Sequence, residues 1–82
     1  MTKYDPLGRF LEAGKGCELQ MTFKNVEEVV GFTLPRSARK HRAWWANPND
    51  RSHPHAQGWM RHGFKTCEVD MASERLSFKK VL

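Results

Sequence analysis

The stretch Leu34-Pro35-Arg36-Ser37-Ala38-Arg39-Lys40-His41-Arg42-Ala43-Trp44-Trp45-Ala46-Asn47 decides how the rest of this 82-residue chain is read. It sets four cations (Arg36, Arg39, Lys40, Arg42) within seven positions and follows them with two adjacent tryptophans. A helix turns by about 100° per residue. On that wheel Ser37, Ala38, His41 and Trp45 share one side. Arg36, Arg39, Lys40 and Ala43 share the other, with Arg42 and Trp44 at the boundary. The spacing predicts a helix over 35–47 with one face for a core and one for an anion.

Upstream, Gly31-Phe32-Thr33-Leu34 leaves room only for a tight link. Before it, Phe23, Val26, Val29 and Val30 make an apolar stripe, opened by Thr22 as N-cap and closed by Gly31 as the residue past the C-cap. Two helices joined this closely form a helix-turn-helix with the basic segment second. Further back, Cys17, Leu19 and Met21 alternate with Glu18, Gln20 and Thr22, the pattern of a half-buried strand. Asp5 and Pro6 read as N-cap and first residue of a helix holding Leu7, Phe10 and Leu11, ended by Gly14 and Gly16. Tyr4 reads as its hydrophobic staple or, alternatively, as a contact residue.

Downstream, Asn47-Pro48-Asn49-Asp50 is a loop by composition. Asp50 or Ser52 then caps a short helix carrying Ala56, Trp59 and Met60 and ending at Gly63. From Phe64 the period changes to two. Cys67, Val69 and Met71 alternate with Thr66, Glu68 and Asp70, and a turn at residues 72–74 leads to Leu76 and Phe78, which makes a β-hairpin. The expected fold is α+β and winged-helix-turn-helix-like, in the order α-β-α-α-(short α)-β-β. Its sheet has three antiparallel strands, in a single basic domain over 1–82.

Several runs carry a resemblance. Leu19-Gln20-Met21-Thr22-Phe23, Val26-Glu27-Glu28-Val29-Val30-Gly31-Phe32, Leu34-Pro35-x-Ser37-Ala38-Arg39-Lys40, Arg42-Ala43-Trp44-Trp45-Ala46-Asn47 and Ser52-His53 together resemble a family of small bacterial and phage proteins. That family is a domain of unknown function, and the likeness spans Tyr4 to Phe78. It implies a domain identity and no mechanism. Pro48 and Asn49 depart from the pattern by lengthening the loop after Asn47, which puts contacts there in doubt. Short phage proteins often inhibit host defence, so the resemblance also implies that role as an alternative.

Charge points to the partner. Residues 35–65 carry +6 of the net +5, and the remainder carries −1. A basic excess gathered in one region suits an anionic partner, most commonly nucleic acid. The expected function is non-catalytic nucleic-acid binding, with duplex DNA favoured. The contact set is Arg36, Arg39, Lys40 and Arg42, extended by Arg51, Arg61 and Lys65, with Lys79 and Lys80 on the hairpin and His53 beside a phosphate. A homodimer is among the expected assemblies, since many helix-turn-helix readers bind as dimers. The alternative is a phage- or mobile-element-encoded inhibitor of a bacterial defence complex, anti-CRISPR-like or anti-restriction, that covers an anionic protein surface.

Trp45 and Trp59 read as core. Trp44 reads either as core or as a residue that stacks a base or fills a partner's pocket. His41, on the apolar side of the wheel, reads as a core histidine.

No catalytic group, metal or cofactor is expected. The nine acids sit on caps, solvent faces and outward strand positions, whereas metal-dependent hydrolysis needs converging carboxylates. The histidines and the two cysteines lack the paired spacing of zinc modules. Cys17 and Cys67 read as small buried hydrophobes rather than a disulfide. No apolar run approaches the ~20 residues of a membrane span, and Met1-Thr2-Lys3-Tyr4 begins no signal peptide. The expected location is the cytoplasm.

Overall fold

Caps and tight turns set the order of the elements. The computed structural model describes residues 2–14, 16–48 and 53–81. Along them run α1 (Asp5–Ala13), β1 (Glu18–Thr22), α2 (Phe23–Val30) and α3 (Arg36–Lys40). A 3₁₀ turn at Arg42–Trp45 follows, then a second at Pro54–Ala56 leading into α4 (Gln57–Met60), β2 (Phe64–Asp70) and β3 (Arg75–Lys80). The strands form one antiparallel sheet in the order β1-β3-β2, so the first strand pairs with the C-terminal hairpin. The fold is α+β with a winged-helix-like order. No helix among the described residues is long and apolar enough to cross a membrane.

The turn between β1 and α2 is built by a reciprocal cap. The Asn25 amide N–H donates to Thr22 Oγ1 at 2.9 Å, and the Thr22 N–H donates to Asn25 Oδ1 at 3.1 Å. Two donors that a helix start leaves orphaned are thereby satisfied. Gly31 closes α2 with φ at +85°, a left-handed conformation that glycine adopts without strain. α1 starts one residue earlier than its sequence suggests. Tyr4 is the N-cap, and the Asp5 N–H donates to the Thr2 carbonyl at 3.0 Å. The Asp5 carboxylate turns toward His62 instead of capping.

The continuous helix expected over 35–47 does not form. α3 ends at Lys40 after five residues, and His41 is extended at φ −123°, ψ 113°. The cause lies in the paired tryptophans. Neighbours on a helix diverge by about 100°, so one face could not bury both Trp44 and Trp45. The break allows it, leaving Trp44 at 8% and Trp45 at 1% exposure. The Ala38 carbonyl, which a continuing helix would give to Arg42, accepts the Trp45 indole N–H at 2.7 Å. His41 is consequently exposed rather than part of the core.

Helices α1, α2 and α4 cover one side of the sheet, with Leu7, Leu11, Val26, Trp45, Trp59 and Phe78 among the core side chains. Cys17 precedes β1 and is exposed, contrary to its inward expectation, and Met21 is the buried residue of that strand. β1 is a sheet edge whose Leu19 end the helices leave uncovered. Cys17 and Cys67 are both free, and β3 separates their two sides of the sheet.

α1 and α4 cross at glycines. A Cβ on Gly58 would lie 2.4 Å from Tyr4 Cβ and 2.9 Å from the Tyr4 carbonyl oxygen. That oxygen accepts from Leu7 at the start of α1, so it cannot retreat without moving the helix. Gly58→Ala is expected to lower stability by about 1–2 kcal/mol, with overpacking outweighing the gain in helix propensity. The urea midpoint would fall at constant slope.

Candidate nucleic-acid interface

Arg36 and Lys40 begin and end α3. They sit four residues apart on one face and are both exposed. Arg42 and Ala43 follow on the 3₁₀ turn, also exposed. Among the described residues no carboxylate comes within ion-pairing distance of Arg36, Lys40 or Arg42. Arg42 lines a groove of about 370 Å³ between the 3₁₀ turn and β2, together with Ala43, Asn47, Thr66, Glu68 and Val69.

Arg39 is held differently from its neighbours. Its Nη1 donates to Glu27 Oε2 at 2.8 Å, and its Nε lies 3.3 Å from Glu74 Oε2. Glu27 Oε2 also accepts the Leu34 backbone N–H at 2.8 Å. One carboxylate thus fastens the tight link, α2 and α3 together, while Glu74 ties α3 to the hairpin turn. The Arg39 guanidinium and the Leu34 N–H, in that order, hold the Glu27 carboxyl below its ordinary range. The acids were expected on caps and solvent faces, and this pair departs from that. They were hard to foresee because they reach Arg39 from outside its own helix.

The remaining expected contact residues scatter. Lys65 and Lys79 are exposed cross-strand partners on β2 and β3. They sit at the base of the hairpin, whereas Glu74, beside α3, sits at its tip. Arg75 to Lys79 spans about 13 Å of strand, so the structure does not gather Lys79 with α3. Lys80 and Arg61 are exposed. His53 is half-buried, with its ring 5.4 Å from that of His55. Arg51, and the caps Asp50 and Ser52, lie outside the described residues.

Trp44 is not an accessible stacking surface. His55 lies parallel to it at 4.0 Å, and Tyr4 and Trp45 meet it edge-on. The His55 Nε2–H donates to the Trp44 carbonyl at 2.6 Å. Burial lowers the pKa of His55, the Trp44 carbonyl opposes that shift, and His53 adds to it.

The sequence places Asn47 at the end of the basic helix and the start of the loop, with no partner assigned. Its Oδ1 accepts the Trp59 indole N–H at 2.9 Å and the Thr66 backbone N–H at 2.9 Å, and its Nδ2 donates to the Thr66 carbonyl at 3.0 Å. The Thr66 hydroxyl donates to the Trp45 carbonyl. Following the 3₁₀ turn, this side chain therefore joins α4 to β2.

Two further clusters draw acids together. The His62 Nδ1–H donates to Glu12 Oε1 at 2.6 Å, and its Nε2 lies 3.6 Å from Asp5 Oδ1. Glu18, Cys67 and Glu68 place three donor atoms within 4.8 Å of one another. Burial, then Glu18 and Glu68, push the Cys67 thiol pKa up, against Lys79 and Lys65.

The fold is a small α+β domain of winged-helix-like order, with Arg36, Lys40 and Arg42 exposed along one short segment. The chain belongs to the family described as a domain of unknown function (DUF7662), which matches residues 4–81. No curated protein and no solved structure matches it.

Proposed function

We propose that this chain binds nucleic acid, duplex DNA in the first instance, by contacting backbone phosphates without catalysing a reaction. The observation that carries the reading is the set of Arg36, Lys40 and Arg42. All three are exposed along one short segment, with no described carboxylate to neutralise them. Arg39 is a positioning residue, since two carboxylates already hold it. α3 is five residues long, about 7.5 Å at the helical rise. So short a helix offers little to read base edges, and the contact is chiefly electrostatic and tolerant of sequence. A cytoplasmic location accords with this partner.

The test is fluorescence anisotropy with random-sequence duplex DNA over a range of salt. Three neutralised phosphates give a slope of about −2.7 in log K against log salt. The triple variant Arg36→Ala/Lys40→Ala/Arg42→Ala is expected to lose most of the affinity and most of that slope while keeping the wild-type urea midpoint. Absence of binding at low salt in the folded wild type would overturn the reading.

A second reading rests on the groove that Arg42 lines beside β2. Arg42 on its wall supplies a cation for an anionic protein surface, with Glu68 lining the same groove. A phage- or mobile-element-encoded inhibitor of a defence complex would use that surface. Failure of DNA binding combined with Arg42-dependent capture of a defence protein would favour it.

A further inference from the structure

We propose that Glu18, Cys67 and Glu68 form a zinc site on the face of the sheet away from the helices, tying the two outer strands together across β3. One carboxylate oxygen of each glutamate and the Cys67 Sγ lie within 4.8 Å of one another. Glu18 is on β1 and the other two are on β2, so no spacing in the chain marks them as a set. Consecutive strand residues ordinarily point to opposite faces. β2 is irregular between Cys67 and Asp70, with Glu68 left-handed at φ +50°. That irregularity turns Glu68 to the side of Cys67, where a regular pleat would send it to the other face.

The residue beneath the three groups points to a ligand. Residues directly opposite on neighbouring strands share a face. Ser77 stands opposite Cys67 on one side and Gln20 on the other, so it faces the cluster, while Leu76 and Phe78 take the core face. Ser77 is only 4% exposed. Glu18 leans from β1 over β3 to reach Cys67, and it roofs Ser77 on the way. The Ser77 hydroxyl nevertheless has no hydrogen-bond partner among the described residues. No fully enclosed side-chain oxygen there goes unbonded, so this one opens toward the cluster above it. Glu18 also stands directly opposite Lys79, the placement of a cross-strand ion pair. Yet among the described residues no cation comes within ion-pairing distance of Glu18 or Glu68. Two carboxylates thus converge on a thiol with no side-chain cation bridging them.

The donor set selects the ion. Magnesium and calcium take oxygen ligands, whereas a thiolate beside carboxylates suits zinc. Bonds of about 2.3 Å to sulfur and about 2.1 Å to oxygen space tetrahedral ligands about 3.5 Å apart. Rotation of the two glutamate side chains closes that difference without moving the strands. Cys67 gives its proton to solvent as it binds, and water takes the fourth position. Thiolate, two carboxylates and a dication leave one net negative charge, which Lys65 and Lys79 on the same face offset. Ser77 then donates to a ligating carboxylate and is a positioning residue. The site stands independently of nucleic-acid binding.

The test is titration of the full reduced chain with Co²⁺ as a spectroscopic stand-in for zinc. A thiolate-to-cobalt charge-transfer band is expected to saturate at one equivalent and to vanish when Zn²⁺ displaces the cobalt. Cys67→Ser is expected to abolish the band, and Cys17→Ser to leave it intact. Glu18→Gln and Glu68→Gln should weaken zinc binding by more than about tenfold, and Ser77→Ala by about tenfold, as for an outer-shell partner. Zinc should raise the melting temperature of the wild type and not that of Cys67→Ser. Far-ultraviolet circular dichroism without metal should be the same for every variant. No band with excess Co²⁺, a band that survives Cys67→Ser, one that disappears with Cys17→Ser, or affinities unchanged by Glu18→Gln, Glu68→Gln and Ser77→Ala would overturn the proposal.

Discussion

Asn47→Ala is expected to cost the fold about 3–5 kcal/mol, because each buried polar group left without a partner costs about 1–3 kcal/mol. The variant strands three groups: the Trp59 indole N–H and both backbone groups of Thr66. Trp59 is fully buried and Thr66 nearly so, so water reaches them poorly. A domain of this size is stable by about 4–12 kcal/mol, and the loss approaches half of that. The melting temperature should drop by about 20 °C. Asn47→Asp separates the contributions. It keeps acceptors for Trp59 and for the Thr66 N–H, but sets a carboxylate where an amide donated to the Thr66 carbonyl. Its deficit should shrink in acid, where the new carboxyl regains a proton to donate. Equal midpoints for wild type and Asn47→Ala would show that the hub carries no weight.

Local signals were legible where neighbours in the chain satisfied one another. Thr22 and Asn25 close their cap within one turn, Gly31 supplies its own left-handed exit, and the hairpin turn falls among residues 71–74. Ala56 and Trp59 reach the core as their spacing predicts. The break after Lys40 was not legible, because the group that takes the Ala38 carbonyl is an indole from the following turn. Nor was the fate of Arg39, the basic residue nearest the middle of the cluster. Its acids come from α2 and from the hairpin turn, which only the fold brings near. Asn47 escaped for the same reason, since a loop asparagine carries no sequence mark of the strand it will meet. The candidate site shifted accordingly, from a long basic helix to a short one with Arg42 beyond its end.

Glu27→Ala is expected to lower stability by about 2–3 kcal/mol, the cost of an unpartnered N–H at Leu34 together with a half-buried guanidinium that loses its closest carboxylate. Its acid dependence has a defined sign. The folded pKa of Glu27 lies below the ordinary 4.5. In that interval the unfolded chain binds more protons, so stability rises with pH there. The contribution is complete above 4.5 and is lost as pH falls through the folded value. Glu27→Gln keeps an oxygen for the Leu34 N–H but removes the charge, so the wild-type advantage over it should be constant near neutrality and close below about 4.5. Asp70, whose carboxyl is also held low by the Ser73 N–H, loses its effect in both proteins and cancels in the difference. His55, with its pKa lowered by burial, starts to cost stability as pH falls below its ordinary 6.5, again in both. Urea midpoints measured for the pair across that range isolate the Glu27 charge. A gap that stays constant into acid would mean that the carboxylate acts through its hydrogen-bond geometry alone. An Arg39→Ala cycle would then show coupling near zero instead of the about 1–2 kcal/mol expected for directly bonded partners.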